Sequence, residues 1–226
     1  MGESYSLGYG GDVYSSRIRV INFIGWIMKI HNIEQRSPEW LQLKLGKIGG
    51  TRLKAVMSSN NLPLIYELLA EDGAAEVEES YKSPAMQWGI DMEEFALAIW
   101  EGENNRQLVS HGWIESEFSE IVGISPDGLT RDCVKGVEIK CPTTKKHVEY
   151  IISGRIPSEY KPQILHYFLV IDTLRSLDFV SYDPRFIKKP FHCVTVTRDE
   201  LSNELIDAKE SLNKFLNKLE KYRAKI

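Results

Sequence analysis

Apolar residues recur along this chain with two different periods, and the change of period marks its elements. Pro38 to Leu45 reads as a short helix with Ser37 as N-cap and Pro38 in its first turn, ended by Gly46. A second helix is expected from Arg52 to about Ser58 and a third from Leu62 to Glu71, followed by an acidic loop over 72–83. From Ser83-Pro84 to about Glu103, Trp88 is followed by Met92, Phe95, Ala96 and Ile99, at offsets of 4, 7, 8 and 11. That spacing draws one apolar face on a long helix.

Shorter apolar runs then predict three strands, at Gln107–Ile114, Ile121–Ser125 and Gly136–Lys140. Helices are expected at Thr144–Ser153 and Ser158–Thr173, and two more strands at Leu177–Tyr182 and Phe191–Thr197, around Asp183-Pro184. The last segment, Asp199–Lys225, places Leu201, Leu205, Ala208, Leu212, Phe215, Leu216 and Leu219 on one side of an amphipathic helix. Lys214, Lys218, Lys221 and Lys225 fall on its polar side and read as a solvated face. The order implies an α/β fold in which one small sheet is flanked by helices.

Residues 1–28 differ in composition from the rest of the chain. Gly, Ser and Tyr dominate up to residue 16, and the nine mostly apolar residues Val20–Met28 are too few to span a bilayer. They read as a leader, poorly ordered or laid on the domain as a strand or short helix, with Met28 as a candidate natural start. A single domain with its C-terminal amphipathic helix is expected over 29–226. Cys133, Cys141 and Cys193 form no CxxC pair, which argues against a disulfide framework or zinc ribbon and fits a reducing cytoplasm. The five histidines show no HxxxH pairing; His166 shares a helix with Gln163 and reads as structural. The net charge of −4 does not advertise a nucleic-acid partner, but a locally basic lining coexists with an acidic exterior in many proteins.

The segment that carries chemistry begins at Ser125-Pro126-Asp127-Gly128 and resumes ten positions after that glycine with Glu138-Ile139-Lys140-Cys141-Pro142. Alternation along a strand sends Val137 and Ile139 to one face and Glu138 and Lys140 to the other. Pro-Asp-Gly by itself is a common turn. If the strands on either side of it pair, Asp127 comes close to Glu138. Two carboxylates are hard ligands suited to Mg²⁺, and Mn²⁺ is expected to substitute. Such a metal lowers the pKa of a water and stabilises charge on a phosphodiester undergoing attack. Lys140 beside it is expected to position that water or help deprotonate it, with its own pKa depressed by the cation.

Asp-(X)n-Glu-X-Lys resembles the signature of the restriction-endonuclease-like PD-(D/E)XK nucleases, which implies an αβββαβ core. Further matches resemble the phage-type alkaline exonucleases, the lambda exonuclease and YqaJ-like viral recombinase family. They are Lys44-Leu-Gly46-Lys-Ile-Gly-Gly-Thr51, Trp88-Gly89-Ile-Asp-Met-Glu93, the two segments above, Tyr160-Lys-Pro-Gln163 and Tyr182-Asp-Pro-Arg185. Together they run from Arg36 to Val196. The resemblance implies that Asp127, Glu138 and the Ile139 carbonyl hold the metal, with Glu93 as a water-mediated or second-metal ligand. It implies that Lys140 acts on the attacking water and that Gln163 orients this water or the scissile phosphate.

Lys44 and Thr51 match the positions that grip a terminal 5′-phosphate, a cation and a hydroxyl at a helix N-terminus. Lysine stands where arginine is usual, which removes bidentate binding. Pro162 inside a helical pattern implies that Gln163 lies near a kink or in a first turn. The implied activity is a Mg²⁺-dependent 5′-to-3′ exonuclease on linear double-stranded DNA that leaves 3′ overhangs for annealing-type recombination. Implied partners are double-stranded DNA ends, two further copies in a homotrimer and a single-strand annealing protein, with no membrane. A restriction or repair endonuclease with the same array, and a non-catalytic DNA-binding recombination module, are the alternatives. Lys145, Lys146 and Lys161 read either as solvated or as contacts to duplex phosphates.

Overall fold

The computed structural model describes residues 18–23, 26–74 and 83–226. Its elements are β1 (Ile18–Phe23), β2 (Trp26–His31), α1 (Pro38–Lys44), a 3-10 turn (Gly50–Arg52), α2 (Leu53–Val56), α3 (Leu62–Asp72) and α4 (Pro84–Asn104). Then come β3 (Leu108–Val109), β4 (Trp113–Ser116), β5 (Ser119–Ile124), β6 (Gly128–Thr130) and β7 (Lys135–Lys140). The chain closes with α5 (Thr144–Ser153), α6 (Lys161–Val170), β8 (Ser176–Tyr182), β9 (Phe191–Thr197) and α7 (Ser202–Arg223).

These strands form two sheets. A mixed sheet has the order β3-β6-β7-β8-β9, in which β7 and β8 run parallel and the other pairs antiparallel. An antiparallel sheet, β1-β2-β4-β5, lies in addition to the one sheet expected. The run Gln107–Ile114, expected to be one strand, is divided between them. The division falls at His111-Gly112. A Cβ on Gly112 would lie 2.2 Å from the Ile33 carbonyl oxygen, so only glycine lets the chain pass this close as it leaves one sheet for the other.

The mixed sheet carries helices on both faces. Val137 and Ile139 of β7 pack with Ala96 and Trp100 of α4, and the Trp100 indole N–H donates to Asp178 of β8 at 2.8 Å. On the opposite side, Ile164 to Val170 of α6 are all buried, between the second sheet and the apolar face of α7. Burying each large aliphatic side chain contributes about 1.5–3 kcal/mol, so β7 is fixed from two directions. The predicted face of α4 is corrected in one member. Phe95 is 57% exposed, because the buried line runs through Ala96 and Trp100 and leaves Phe95 on the outer side.

Other expectations resolve in similar detail. The predicted helix Arg52–Ser58 is the 3-10 turn and the single turn of α2. Pro162 sits in the first turn of α6, which makes Gln163 a first-turn residue as its proline implied. The apolar line of α7 is buried at Leu205, Ala208, Leu212, Phe215 and Leu219. Of the leader expected over 1–28, residues 1–17, 24 and 25 lie outside the described residues. The boundary at residue 28 falls within β2. The loop expected over 72–83 lies outside them across 75–82. Among the described residues no helix is long and apolar enough to cross a membrane.

Candidate active site

The pairing that brings Asp127 to Glu138 differs from the one expected. β5, which precedes Asp127, belongs to the second sheet, and the short strand β6 on its other side pairs with β7, Gly128 opposite Val137. Asp127 thus stands at the crossing between sheets, beside the centre of β7. Its Oδ2 accepts a hydrogen bond from the Ile139 N–H at 2.7 Å. The turn is held from outside by the segment before α1. Gln35 Nε2 donates to the carbonyls of His111 and Pro126, both at 2.9 Å, and the Trp40 indole donates to Ser125 Oγ at 2.9 Å.

Glu138 and Lys140 share the face of β7 turned toward α6, as alternation requires. Glu138 is almost wholly buried, and both of its carboxylate oxygens have polar partners. Its Oε1 pairs with the Lys140 ammonium and accepts from Gln163 Nε2 at 2.7 Å; its Oε2 accepts from the Tyr167 hydroxyl at 2.7 Å. The Asp127 backbone N–H donates to that same hydroxyl at 3.2 Å, so Tyr167 bridges the two acidic residues. Gln163 and Tyr167 are four apart on α6 and therefore lie on one side of it. The approach is close: a Cβ on Gly50 of the 3-10 turn would lie 3.1 Å from Gln163 Cγ.

Burial, and then the negative charge of Glu138, push the Asp127 carboxyl well above the ordinary carboxylate range. Burial pulls Lys140 down, but the charges of Glu138 and Asp127 outweigh it, and its ammonium is held above the usual lysine value. The depression expected for Lys140 was that of an adjacent cation; among the protein groups themselves, the two carboxylates that face it act in the other direction. A divalent cation suits this donor set: two hard carboxylates that repel one another in a dry setting, next to the Ile139 backbone. Among the described residues no three His, Cys, Asp or Glu side chains cluster tightly enough to hold an ion by themselves. Asp127, Glu138 and the Ile139 carbonyl would be the protein's contribution.

Next to them, Ile139 and Lys140 open onto a cavity of about 640 Å³. Ile139, Lys140, Cys141, Pro142, Tyr160 and Gln163 line it together with Arg36, Thr51 and the α4 residues Ala85, Met86, Gly89, Ile90 and Glu93. Glu93 is thereby brought to the site, and its Oε2 accepts from Arg36 Nη2 at 2.5 Å. Arg185 braces this wall from behind. Its guanidinium lies 4.1 Å from the centre of the Trp88 ring, donates to the Pro142 carbonyl, and pairs with the buried Asp183.

The expected end-sensing pair is divided. Thr51 lines the cavity, whereas Lys44 does not. The Lys44 ammonium lies 3.6 Å from the centre of the Trp40 ring and 5.8 Å from that of Trp113. Burial, then the charge of Arg52, lower its pKa to about 8. The helix after Thr51 is a single turn, so an anion here relies on side chains, with no helix dipole of consequence. His166 is structural: fully buried, with Nε2 2.9 Å from the Gly123 carbonyl oxygen. Lys145 and Lys146 are exposed, and Lys161 pairs with Glu204 at 2.5 Å.

Two residues of this site escape sequence reasoning. Tyr167 was within reach, since it falls four residues after Gln163 on a predicted helix. Arg36 gave no signal beyond a positive charge before a helix cap.

Comparison with known proteins gives a consistent result. The family model for the YqaJ-like viral recombinase domain matches residues 39–173. No curated protein matches the chain in sequence. Among solved structures, the alkaline exonuclease LHK-Exo from Laribacter hongkongensis superposes with a TM-score of 0.71 at 28% identity, covering 84% of this chain and 97% of that one. Its complex with dAMP gives the same figures. A phage-related exonuclease from Haemophilus somnus 129PT shares the fold, with a TM-score of 0.52 at 14% identity, covering 78% of this chain and 96% of that one.

Proposed function

This chain belongs to the YqaJ-like viral recombinase domain family, and from that premise we propose that it is a Mg²⁺-dependent 5′-to-3′ exonuclease of linear double-stranded DNA. It is a DNA nuclease of the alkaline exonuclease type. The finer reading covers the metal, the strand polarity and the 3′ overhangs left for annealing-type recombination. The observation that carries it is the Glu138 carboxylate, buried near Asp127 and held by Tyr167 and by Gln163 and Lys140, the last two of which line a cavity. The complex of the related LHK-Exo with dAMP supports a site that accepts a deoxynucleoside monophosphate.

Mg²⁺, or Mn²⁺ in its place, would supply a Lewis acid for the phosphate oxygens and lower the pKa of a water. Asp127, Glu138 and the Ile139 carbonyl are the groups that would hold it. Tyr167 and the Ile139 N–H keep the two carboxylates in place while they are unpaired with a cation. The Lys140 ammonium, kept charged by its neighbours, is suited to donate hydrogen bonds to the attacking water or the phosphate, which favours positioning over deprotonation. Gln163 reaches the same oxygen of Glu138 as Lys140 and can orient the water from α6. For the terminal 5′-phosphate the proposal is Thr51, from the cavity lining, with Lys44, which stands outside that lining over the Trp40 ring. A homotrimer and a single-strand annealing partner belong to the same proposal.

The test is digestion of duplexes labelled on either strand and ended by 5′-phosphate or 5′-hydroxyl, beside covalently closed circles, in Mg²⁺ and in EDTA. Release of mononucleotides from the 5′-labelled strand only in Mg²⁺ is the expected result. Cutting of closed circles would overturn it in favour of an endonuclease. Duplex binding with no cleavage in Mg²⁺ or Mn²⁺ would favour a non-catalytic recombination module. Light scattering of the protein in solution checks the trimer.

A further inference from the structure

Arg36 occupies a conformation that its residue type disfavours. Its φ is +69°, in the left-handed region where a side chain other than glycine is strained. Such a backbone persists when its surroundings over-determine it. On one side Gln35 is tied to the carbonyls of His111 and Pro126; on the other Ser37 caps α1 through the Trp40 N–H. These ties fix the turn against the loop that carries Asp127. The strained residue between them sends its guanidinium into the cavity, where its one hydrogen-bond partner among the described residues is Glu93.

That pairing leaves much of the guanidinium unused. The bond to Glu93 occupies one of five N–H donors, and the side chain keeps 39% of its exposure. A guanidinium is always charged, and its planar fork matches two phosphate oxygens. The charged groups that line the cavity are Arg36, Glu93 and Lys140, and behind them the buried Glu138 pairs with Lys140.

We propose that Arg36 is a binding residue for a backbone phosphate of the DNA strand in the cavity, masked by Glu93 until that carboxylate is engaged elsewhere. Glu93 then acts as a gate. While it holds the guanidinium, the charge of Arg36 is offset and one of its N–H groups is occupied; release frees a bidentate phosphate donor in the wall of the cavity. This inference rests on the nuclease reading of the same cavity and adds a substrate contact to it.

The experiment is a two-residue cycle read as duplex affinity in EDTA, by fluorescence anisotropy over a series of salt concentrations. The proteins are the wild type, Glu93→Gln, Arg36→Gly and the double variant. Arg36→Gly removes the guanidinium while relieving the positive φ, so the fold is expected to melt at or above the wild-type temperature. Glu93→Gln is expected to tighten binding about tenfold and to steepen the slope of log K against log salt by about 0.9, the value for one added phosphate contact. In the Arg36→Gly background the same change should tighten binding no more than about twofold, from lost repulsion alone. Equal gains in both backgrounds would overturn the proposal. The wild type is assayed on the same duplex in Mg²⁺. Hydrolysis with an uncoupled cycle removes only the role of Arg36, whereas absence of hydrolysis removes the nuclease reading and this inference with it.

Discussion

The Tyr167 hydroxyl donates to Glu138 Oε2 at 2.7 Å while accepting from the Asp127 N–H at 3.2 Å, so one phenol on α6 orients the Glu138 carboxylate and anchors the backbone that carries Asp127. Burial, and then the charge of Glu138, hold that phenol far above the ordinary tyrosine pKa, which keeps its proton in place for the bond. Removing the hydroxyl leaves a buried carboxylate oxygen without its donor. Tyr167→Phe is expected to fold, to lose on the order of 10- to 100-fold in activity, and to need more Mg²⁺ for half-maximal rate. A Mg²⁺ titration of initial rates checks this; an unchanged rate and midpoint would remove the orienting role.

Asp127 opposes stability for the sake of the site. Its carboxyl is raised by burial and by Glu138, so the folded chain binds its proton more tightly than the unfolded chain does. The stability it contributes is present below the unfolded value, about 3.9, and is lost as pH rises through the higher folded value. Asp127→Asn removes that loss. In EDTA at neutral pH the variant is expected to melt above the wild type, while its activity in Mg²⁺ falls on the order of 10³-fold. Calorimetry beside nuclease assays measures both, and a lower melting temperature in EDTA would contradict this account of the carboxyl.

His166 acts in the opposite direction. Burial lowers its pKa to about 4, against 6.5 for an ordinary histidine. Between those values the unfolded chain holds a proton that the folded chain refuses. Stability therefore falls as pH drops from 6.5 toward 4, by about 3 kcal/mol across the full window. Urea unfolding at about pH 7 and about pH 5 is expected to show a smaller difference for His166→Gln than for the wild type. Equal differences would sink it.

Lys44 offers a pH signature for end recognition. With its pKa lowered to about 8 by burial between Trp40 and Trp113, the amine loses its charge across moderately alkaline pH. The preference for a 5′-phosphate over a 5′-hydroxyl end, read as a ratio of kcat/KM, is expected to decline as pH rises through about 8. Lys44→Arg should hold the ratio constant, since arginine stays charged, and Lys44→Ala should lower it about tenfold at neutral pH. A ratio unmoved by Lys44→Ala would assign the terminal phosphate elsewhere.

How much of this was legible beforehand depends on how local each signal is. Val137, Glu138, Ile139 and Lys140 sort onto two faces by strand alternation alone, and the structure puts them there. Pro162 announced the first turn of α6, and with it the place of Gln163. The split of 107–114 between two sheets was not legible. It depends on the Ile33 carbonyl lying against Gly112, a contact between segments about eighty residues apart. Phe95 failed for a related reason: the helical period was right, but which side of α4 is covered depends on β7 and β8.

What the sequence determined by itself is therefore the chemistry available: a carboxylate turn, a Glu-X-Lys strand and a helix with Gln163 near its start, all written in short-range patterns of period and turn residue. Tertiary structure alone decided how those pieces meet. Asp127 reaches Glu138 because β6 pairs with β7 while β5 leaves for another sheet. Arg36 enters the cavity because bonds to His111 and Pro126 hold a strained turn against the Asp127 loop. Hydrogen bonds between distant segments leave no periodic trace in the chain, so only the folded arrangement specifies them.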